Sequence, residues 1–171
     1  MITSVEEVQG GQDLEEYFLG SRSSGWIDRQ YQGYEEAYVA AKTSQGDWNP
    51  ASPATAPALE LLGHVARFLV QWTGNPNPDI RMYRLVGTAF DSFHQADCSI
   101  EYEEHAKVFI DLTCRDDKVN PKAVVIRLSH LKKGLLPLIG KKIAILLMRQ
   151  RFEGDVTDAM WNMSSDDFAN L

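Results

Sequence analysis

The apolar positions of this chain change period along its length, and the changes divide it into elements. Asp13 to Leu19 reads as a short amphipathic helix. Trp26 to Lys42 reads as a longer one, with Ile27, Tyr31, Tyr34, Tyr38 and Ala41 at three- and four-residue steps. Gly46-Asp-Trp-Asn-Pro50 breaks it. Ser52-Pro53 then opens a helix, serine as cap and proline in the first turn. Its apolar stripe is Leu59, Leu62, Val65, Ala66, Leu69 and Val70, and Gly74-Asn-Pro76 closes it. Ile80 to Val86 alternates at period two and reads as a strand, stopped by Gly87.

The segment from Ser92 to Thr113, SFHQADCSIEYEEHAKVFIDLT, reads as two strands around a turn. A two-residue turn at Glu104-His105 would set apolar against polar throughout and send Asp97 and Asp111 to opposite faces. An odd-length turn or a bulge gives the other register: Cys98 faces Leu112, Ile100 faces Ile110, and Tyr102 faces Val108. That register makes one continuous apolar face, so burial selects it. It also puts Asp97 and Asp111 diagonally on one face, roughly 7–8 Å apart at the backbone.

Downstream, Asn120-Pro121 signals a helix start and Lys132-Lys-Gly134 a stop, with Val124, Val125, Leu128 and Leu131 at helical steps. A strand over 123–128 competes on β-branched content; the helix is preferred because both its ends are signalled. Leu135 to Gly140 reads as a loop broken by Pro137, and Lys142 to Met148 as a buried strand. Thr157 to Met163 reads as a terminal helix. The expected fold is α/β (α+β): a central mixed four-stranded sheet in αβββαβ order flanked by helices, with an N-terminal helical segment. The expected divisions are 1–50, 51–154 and 155–171.

The net charge of −7 argues against a surface that grips nucleic acid as a whole, but not against a local basic strip or contact through a metal ion. Basic residues cluster late, at Lys132, Lys133, Lys141, Lys142, Arg149 and Arg151, most simply a solvated face with helix-end charges. No apolar run spans a bilayer, and MITSVEEV lacks the regions of a signal peptide, so a cytoplasmic protein is expected. Cys98 and Cys114 are then reduced thiols, without zinc-site spacing.

Two carboxylates on neighbouring strands suit a hard cation such as Mg²⁺ (or Mn²⁺), which takes oxygen ligands and often completes its shell with substrate phosphate. A lysine nearby would orient or deprotonate the attacking water or offset developing charge. Lys118, in the loop after Asp111, and Lys122, in the first turn of the expected helix, are the candidates. Glu60, on the earlier helix, is a further candidate metal contact. Glu101 and Glu103 read as solvent-facing, His94 as a local hydrogen-bonding residue, and His105 as an exposed turn residue.

Asp97 on one strand and Phe109-Ile-Asp-Leu-Thr113 on the next, in that order of elements, resemble the PD-(D/E)XK nuclease superfamily across residues 53–150. The resemblance implies a restriction-endonuclease-like fold, with Asp97 and Asp111 as Mg²⁺ ligands and a catalytic lysine two residues beyond the second acid. That position is Thr113, so the lysine role passes to Lys118 or Lys122. The expected function is metal-dependent hydrolysis of phosphodiester bonds, DNA ahead of RNA, with helix-end lysines on the phosphates. The alternative is a catalytically degenerate binding module or nuclease-complex subunit on the same fold. A protein partner or a homodimer through the N-terminal helices belongs to the same set of expectations.

Overall fold

A computed structural model of the chain describes residues 1–21 and 30–152. The expected terminal helix, the 155–171 division and residues 26–29 of the expected Trp26–Lys42 helix lie outside those residues; residues 30–33 of that expected helix are not helical, and the helix begins at Tyr34 after Gly33. After a 3₁₀ turn at Val5–Glu7 come α1 (Gly11–Leu19), α2 (Tyr34–Thr43) and α3 (Ala56–Thr73). Thr55, in extended conformation, precedes α3, Pro57 sits in its first turn, and Gly74 ends it in the left-handed region at φ 72°. The buried stripe is Ala58, Leu61, Leu62, Val65 and Leu69, with Leu59 exposed instead. Burying each such Leu or Val contributes about 1.5–3 kcal/mol.

Four strands follow: β1 (Ile80–Arg84), β2 (Cys98–Tyr102), β3 (Ala106–Thr113) and β4 (Val124–Arg127), with the short α4 (Ala89–His94) between β1 and β2. They form a mixed sheet in the order β1-β2-β3-β4, antiparallel up to β3 and parallel between β3 and β4. Then come α5 (Leu128–Lys132) and α6 (Leu136–Arg151). Met82, Cys98, Ile100, Val108, Ile110 and Ile126 share one core with α1, α3 and α6. Phe109 joins Tyr38, Phe90, Leu85 and Ala96 in a second, smaller cluster beneath α2 and α4. The sheet is therefore covered on both sides, in the manner of an α/β fold.

Within this class, the fourth strand is not the one expected. Residues 124–127 pair with Ile110–Thr113, and 142–148 lie inside α6. Asn120 explains the first change. Its Oδ1 accepts the Lys122 N–H at 3.0 Å, and its amide donates to Gln95 O and Asp111 Oδ2. It closes a local Asx turn instead of capping a helix, and the β-branched Val124, Val125 and Ile126 proceed into the sheet. Pro137 explains the second, standing in the first turn of α6 instead of breaking a loop. Ile139, Ile143, Ala144 and Leu147 then recur at helical spacing on the buried side.

The β2–β3 hairpin keeps the expected apolar face, but its partners differ by two residues. Cys98 pairs with Ile110, Ile100 with Val108, and Tyr102 with Ala106. The turn is centred one residue earlier than expected, and Glu103 and Glu104 both take positive φ there, 52° and 62°, as in mirror-image hairpin turns. Among the described residues no helix is long and apolar enough to cross a membrane.

Candidate functional site

Regular pairing of β2 with β3 stops at Cys98. One residue earlier, the Asp97 N–H still donates to Ile110 O at 2.9 Å, and Leu85 and Val86 both donate to its carbonyl, at 2.8 and 3.0 Å. Two residues opposite one is the pattern of a β-bulge, which re-aims the side chain beside it. The Asp97 carboxylate takes over as acceptor, receiving the Leu112 N–H on Oδ2 at 2.6 Å. Asp97 is 7% exposed. Burial pushes its carboxyl up to about 7, helped by the charges of Asp91, Glu15 and Asp111, while the Leu112 N–H pulls the other way.

Asp111, on β3, is 3% exposed. Lys118 Nζ lies 2.7 Å from its Oδ1, and Asn120 Nδ2 lies 3.0 Å from its Oδ2. Asn120 also donates to Gln95 O at 2.9 Å, which ties the β3–β4 connection to the turn before β2. Thr113, at the position where the resemblance expects lysine, is buried and accepts the Arg115 N–H on Oγ1 at 3.1 Å. Its hydroxyl ends the strand.

Two more acids belong here that the sequence reading did not single out. Glu15, half-buried on α1, is raised by its burial and by Asp91 and Asp111, and lowered by Lys118. Asp91, on α4, accepts the Gly87 N–H at 3.0 Å, while Thr88 caps the helix by accepting the Asp91 N–H. The Thr88-x-x-Asp91 spacing is a capping-box signal that marks this turn in the sequence. Nothing comparable marks Glu15, which α1 delivers by tertiary packing.

The structure brings Asp97, Asp111 and Lys118 together and leaves two other candidates apart. Lys122 is exposed, beside Tyr34, His94 and Phe109 at a cavity of about 100 Å³. Glu60 sits on the exposed side of α3, with Oε1 3.4 Å from His64 Nε2. Glu101 is not solvent-facing: it is 5% exposed and bonded to Tyr38 and Lys42. Glu103 pairs with Arg151 at 2.8 Å. His94 Nε2 lies 3.1 Å from Gln32 O, a contact with a distant part of the chain instead of the local hydrogen bond expected.

The donor set is all oxygen, which suits a hard divalent cation, and the negative charge around Asp97 exceeds what Lys118 offsets. The geometry is looser than the charge. Among the described residues no three carboxylate, imidazole or thiol groups converge as ligands. The fit is to an ion held by two carboxylates and otherwise by water and substrate, with Lys118 occupying the Asp111 edge that such an ion would take. Comparison with family models, with curated proteins and with solved structures gives no significant match.

Proposed function

We propose that the chain is a metal-dependent nuclease that hydrolyses phosphodiester bonds, DNA ahead of RNA, on a restriction-endonuclease-like framework. The observation that carries this reading is the buried acid group: Asp97 with its carboxyl near 7, surrounded by Asp91, Glu15 and Asp111, with the Lys118 cation opposing them at Glu15. Keeping such charge together costs stability unless a cation or a proton offsets it. Asp97 and Asp111 are the residues to hold Mg²⁺ or Mn²⁺. When bound, the ion supplies polarisation of a phosphoryl oxygen and a more acidic water. Asn120 fixes the orientation of Asp111. Lys118, once displaced from Asp111, stands at the same edge to orient water or exchange a proton with it. Reduced Cys98 and Cys114 accord with a cytoplasmic setting.

A second reading has its own support. Both Asp111 oxygens already have protein partners, and Thr113 holds the usual lysine position. On that reading Lys118 is the permanent counter-ion, and the chain is a binding module or nuclease-complex subunit. One assay separates the two. Plasmid and oligonucleotide cleavage is followed for wild type, Asp97→Ala and Asp111→Asn in Mg²⁺, Mn²⁺ and Ca²⁺, beside Mn²⁺ binding. The nuclease reading expects Mg²⁺- or Mn²⁺-dependent cleavage that both substitutions abolish. Cleavage unaffected by Asp111→Asn sinks it. Absence of both cleavage and Mn²⁺ binding in the wild type selects the second reading.

A further inference from the structure

Beyond the acid group, on the far side of Asn120, lies a cavity of about 170 Å³ with the opposite charge. Arg127, His130 and Lys142 line it, with Asn120, Val119 and Ile139. These residues come from the end of β4, from α5 and from α6, and from the loop that carries Lys118. A cationic hollow in a chain of net charge −7 is not a consequence of composition.

The hydrogen bonding inside it has too many donors. His130 is 6% exposed. Its Nδ1 accepts the Arg127 main-chain N–H at 3.2 Å. Its Nε2 faces Arg127 Nη1, also at 3.2 Å. Guanidinium nitrogens only donate. A neutral imidazole that accepts on Nδ1 carries its proton on Nε2, so proton meets proton there. Arg127 Nη2 donates to Lys118 O at 3.0 Å, but Arg127 Nε is buried with no partner. Buried donors without acceptors are uncommon, and each calls for a group that fills the deficit.

The charges facing His130 agree with this. Its imidazolium is disfavoured by burial and then by Arg127, with Lys133 and Lys142 adding to the effect; Asp116 opposes them. Asp116 is itself bound to Ser129 Oγ. Lys142 is pushed down by its burial and by Arg127. Among the described residues no carboxylate lines the hollow, and a small oxyanion brings both negative charge and an acceptor for Arg127 Nε. A water needs on the order of 10–15 Å³ of such space, so a tetrahedral anion has room.

We propose that this cavity is a binding site for a tetrahedral oxyanion of the phosphate class, free or carried by a nucleotide chain, held by Arg127, His130 and Lys142. The anion accepts from Arg127 and Lys142, and from His130 Nε2–H once the guanidinium turns toward it. This site does not depend on the nuclease reading, because it needs neither a metal nor cleavage.

Sulfate is the first probe, since its charge is constant over the range in which histidine titrates. It is added to the full chain without divalent metal, at about pH 6 and about pH 8. Binding is read by calorimetry and from the His130 ring resonances. The expected result is a saturable shift at His130, a raised His130 titration midpoint and tighter binding at the lower pH. Lys142→Gln and Arg127→Gln each weaken binding by about tenfold or more, while Lys107→Gln, on another surface, does not. If Arg127→Gln fails to fold, Lys142→Gln, on the half-buried rim, carries the test. No response at His130, or equal binding by the folded variants, overturns the proposal. Inorganic phosphate and oligonucleotides with 5′-phosphate or 5′-hydroxyl ends then compete with sulfate and assign the natural source. Anion binding without cleavage refutes only the nuclease reading, and cleavage without anion binding refutes only this one.

Discussion

Lys118 reaches back from the β3–β4 connection to place its ammonium 2.7 Å from Asp111 Oδ1, at the strand end where Asp97 also stands. The lysine side chain is 38% exposed and the aspartate side chain 4%. The pair is thus a buried anion capped by a cation that water still reaches. Such a cap is the part of the site most easily exchanged for a metal ion.

Removing the cap leaves Asp111 with Asn120 alone. Lys118→Met should destabilise the chain by about 1–3 kcal/mol, less than for a fully buried pair because the lysine is partly solvated. Denaturant midpoints measure this, and Asp111→Asn in the same background should recover much of the loss. Mg²⁺ at millimolar levels should restore more stability to Lys118→Met than it adds to wild type. No response to Mg²⁺ in either protein contradicts a cation site at these acids.

Asp97 makes stability depend on pH with a definite sign. Its carboxyl titrates near an ordinary 3.8 when unfolded and at about 7 in the fold. Between those values the folded chain holds a proton that the unfolded chain releases. Stability from this group therefore falls as pH rises from about 4 to about 7 and then levels. Asp97→Asn keeps an acceptor for the Leu112 N–H and has no charge to bury. Its advantage over wild type should be small near pH 4 and grow to about 2–4 kcal/mol by pH 8. Thermal melting at about pH 4, 6 and 8 checks the trend, and a pH-independent difference contradicts it.

The close approach of α3 and α6 depends on Gly140. A methyl group there would fall 2.6 Å from His64 Cβ and 3.3 Å from the Val65 amide nitrogen. Neither neighbour is the end of a flexible side chain, so the helices must move apart. Gly140→Ala should cost about 1–3 kcal/mol. Gly63, on the exposed side of α3, meets nothing within 4 Å. Gly63→Ala should stabilise by about 0.5–1 kcal/mol through the lower freedom of the unfolded chain. Opposite signs for two glycine-to-alanine changes on packed helices are checked by chemical denaturation, and like signs contradict the packing described.

What the sequence made legible is what local chemistry controls. The end of α3 was readable at Gly74, while its start falls at Thr55 and Pro57 instead of the expected Ser52-Pro53; the faces of the hairpin were readable from alternation alone, since a shift of two residues leaves every side chain on its own side. The swap of strand and helix after residue 120 was not readable, because Asn-Pro suits a helix start and an Asx-turn loop equally. Only the unpaired edge of β3 decides for the strand. In the candidate site, Asp97, Asp111 and Lys118 lie within one hairpin and its exit loop, and pattern reasoning found them together. Glu15 arrives from a helix far earlier in the chain, and the acceptor-poor hollow at Arg127 and His130 exists only once α6 packs beside α5. Neither has a local signature.

Glu101 shows the same limit and supplies the last test. Alternation sends it to the face away from the main core, which reads as solvent, yet α2 lies over that face. Tyr38 donates its hydroxyl to Glu101 Oε1 at 2.8 Å, and Lys42 Nζ lies 2.8 and 2.9 Å from the two oxygens. Tyr38 also lies 3.0 Å from Ser99 Oγ. Here the anion is almost wholly enclosed while Lys42 is 28% exposed. Lys42→Met should therefore cost about 2–4 kcal/mol, since a buried carboxylate is left with one hydroxyl. Tyr38→Phe should cost about 1–2 kcal/mol through the unmet acceptor. Combining Lys42→Met with Glu101→Gln should be milder than Lys42→Met alone, because the uncompensated charge is gone. Denaturant midpoints for the single and double variants give the coupling directly. If the double variant is as damaged as the sum of its parts, Lys42 and Glu101 act independently and α2 is held on the sheet by its apolar contacts alone.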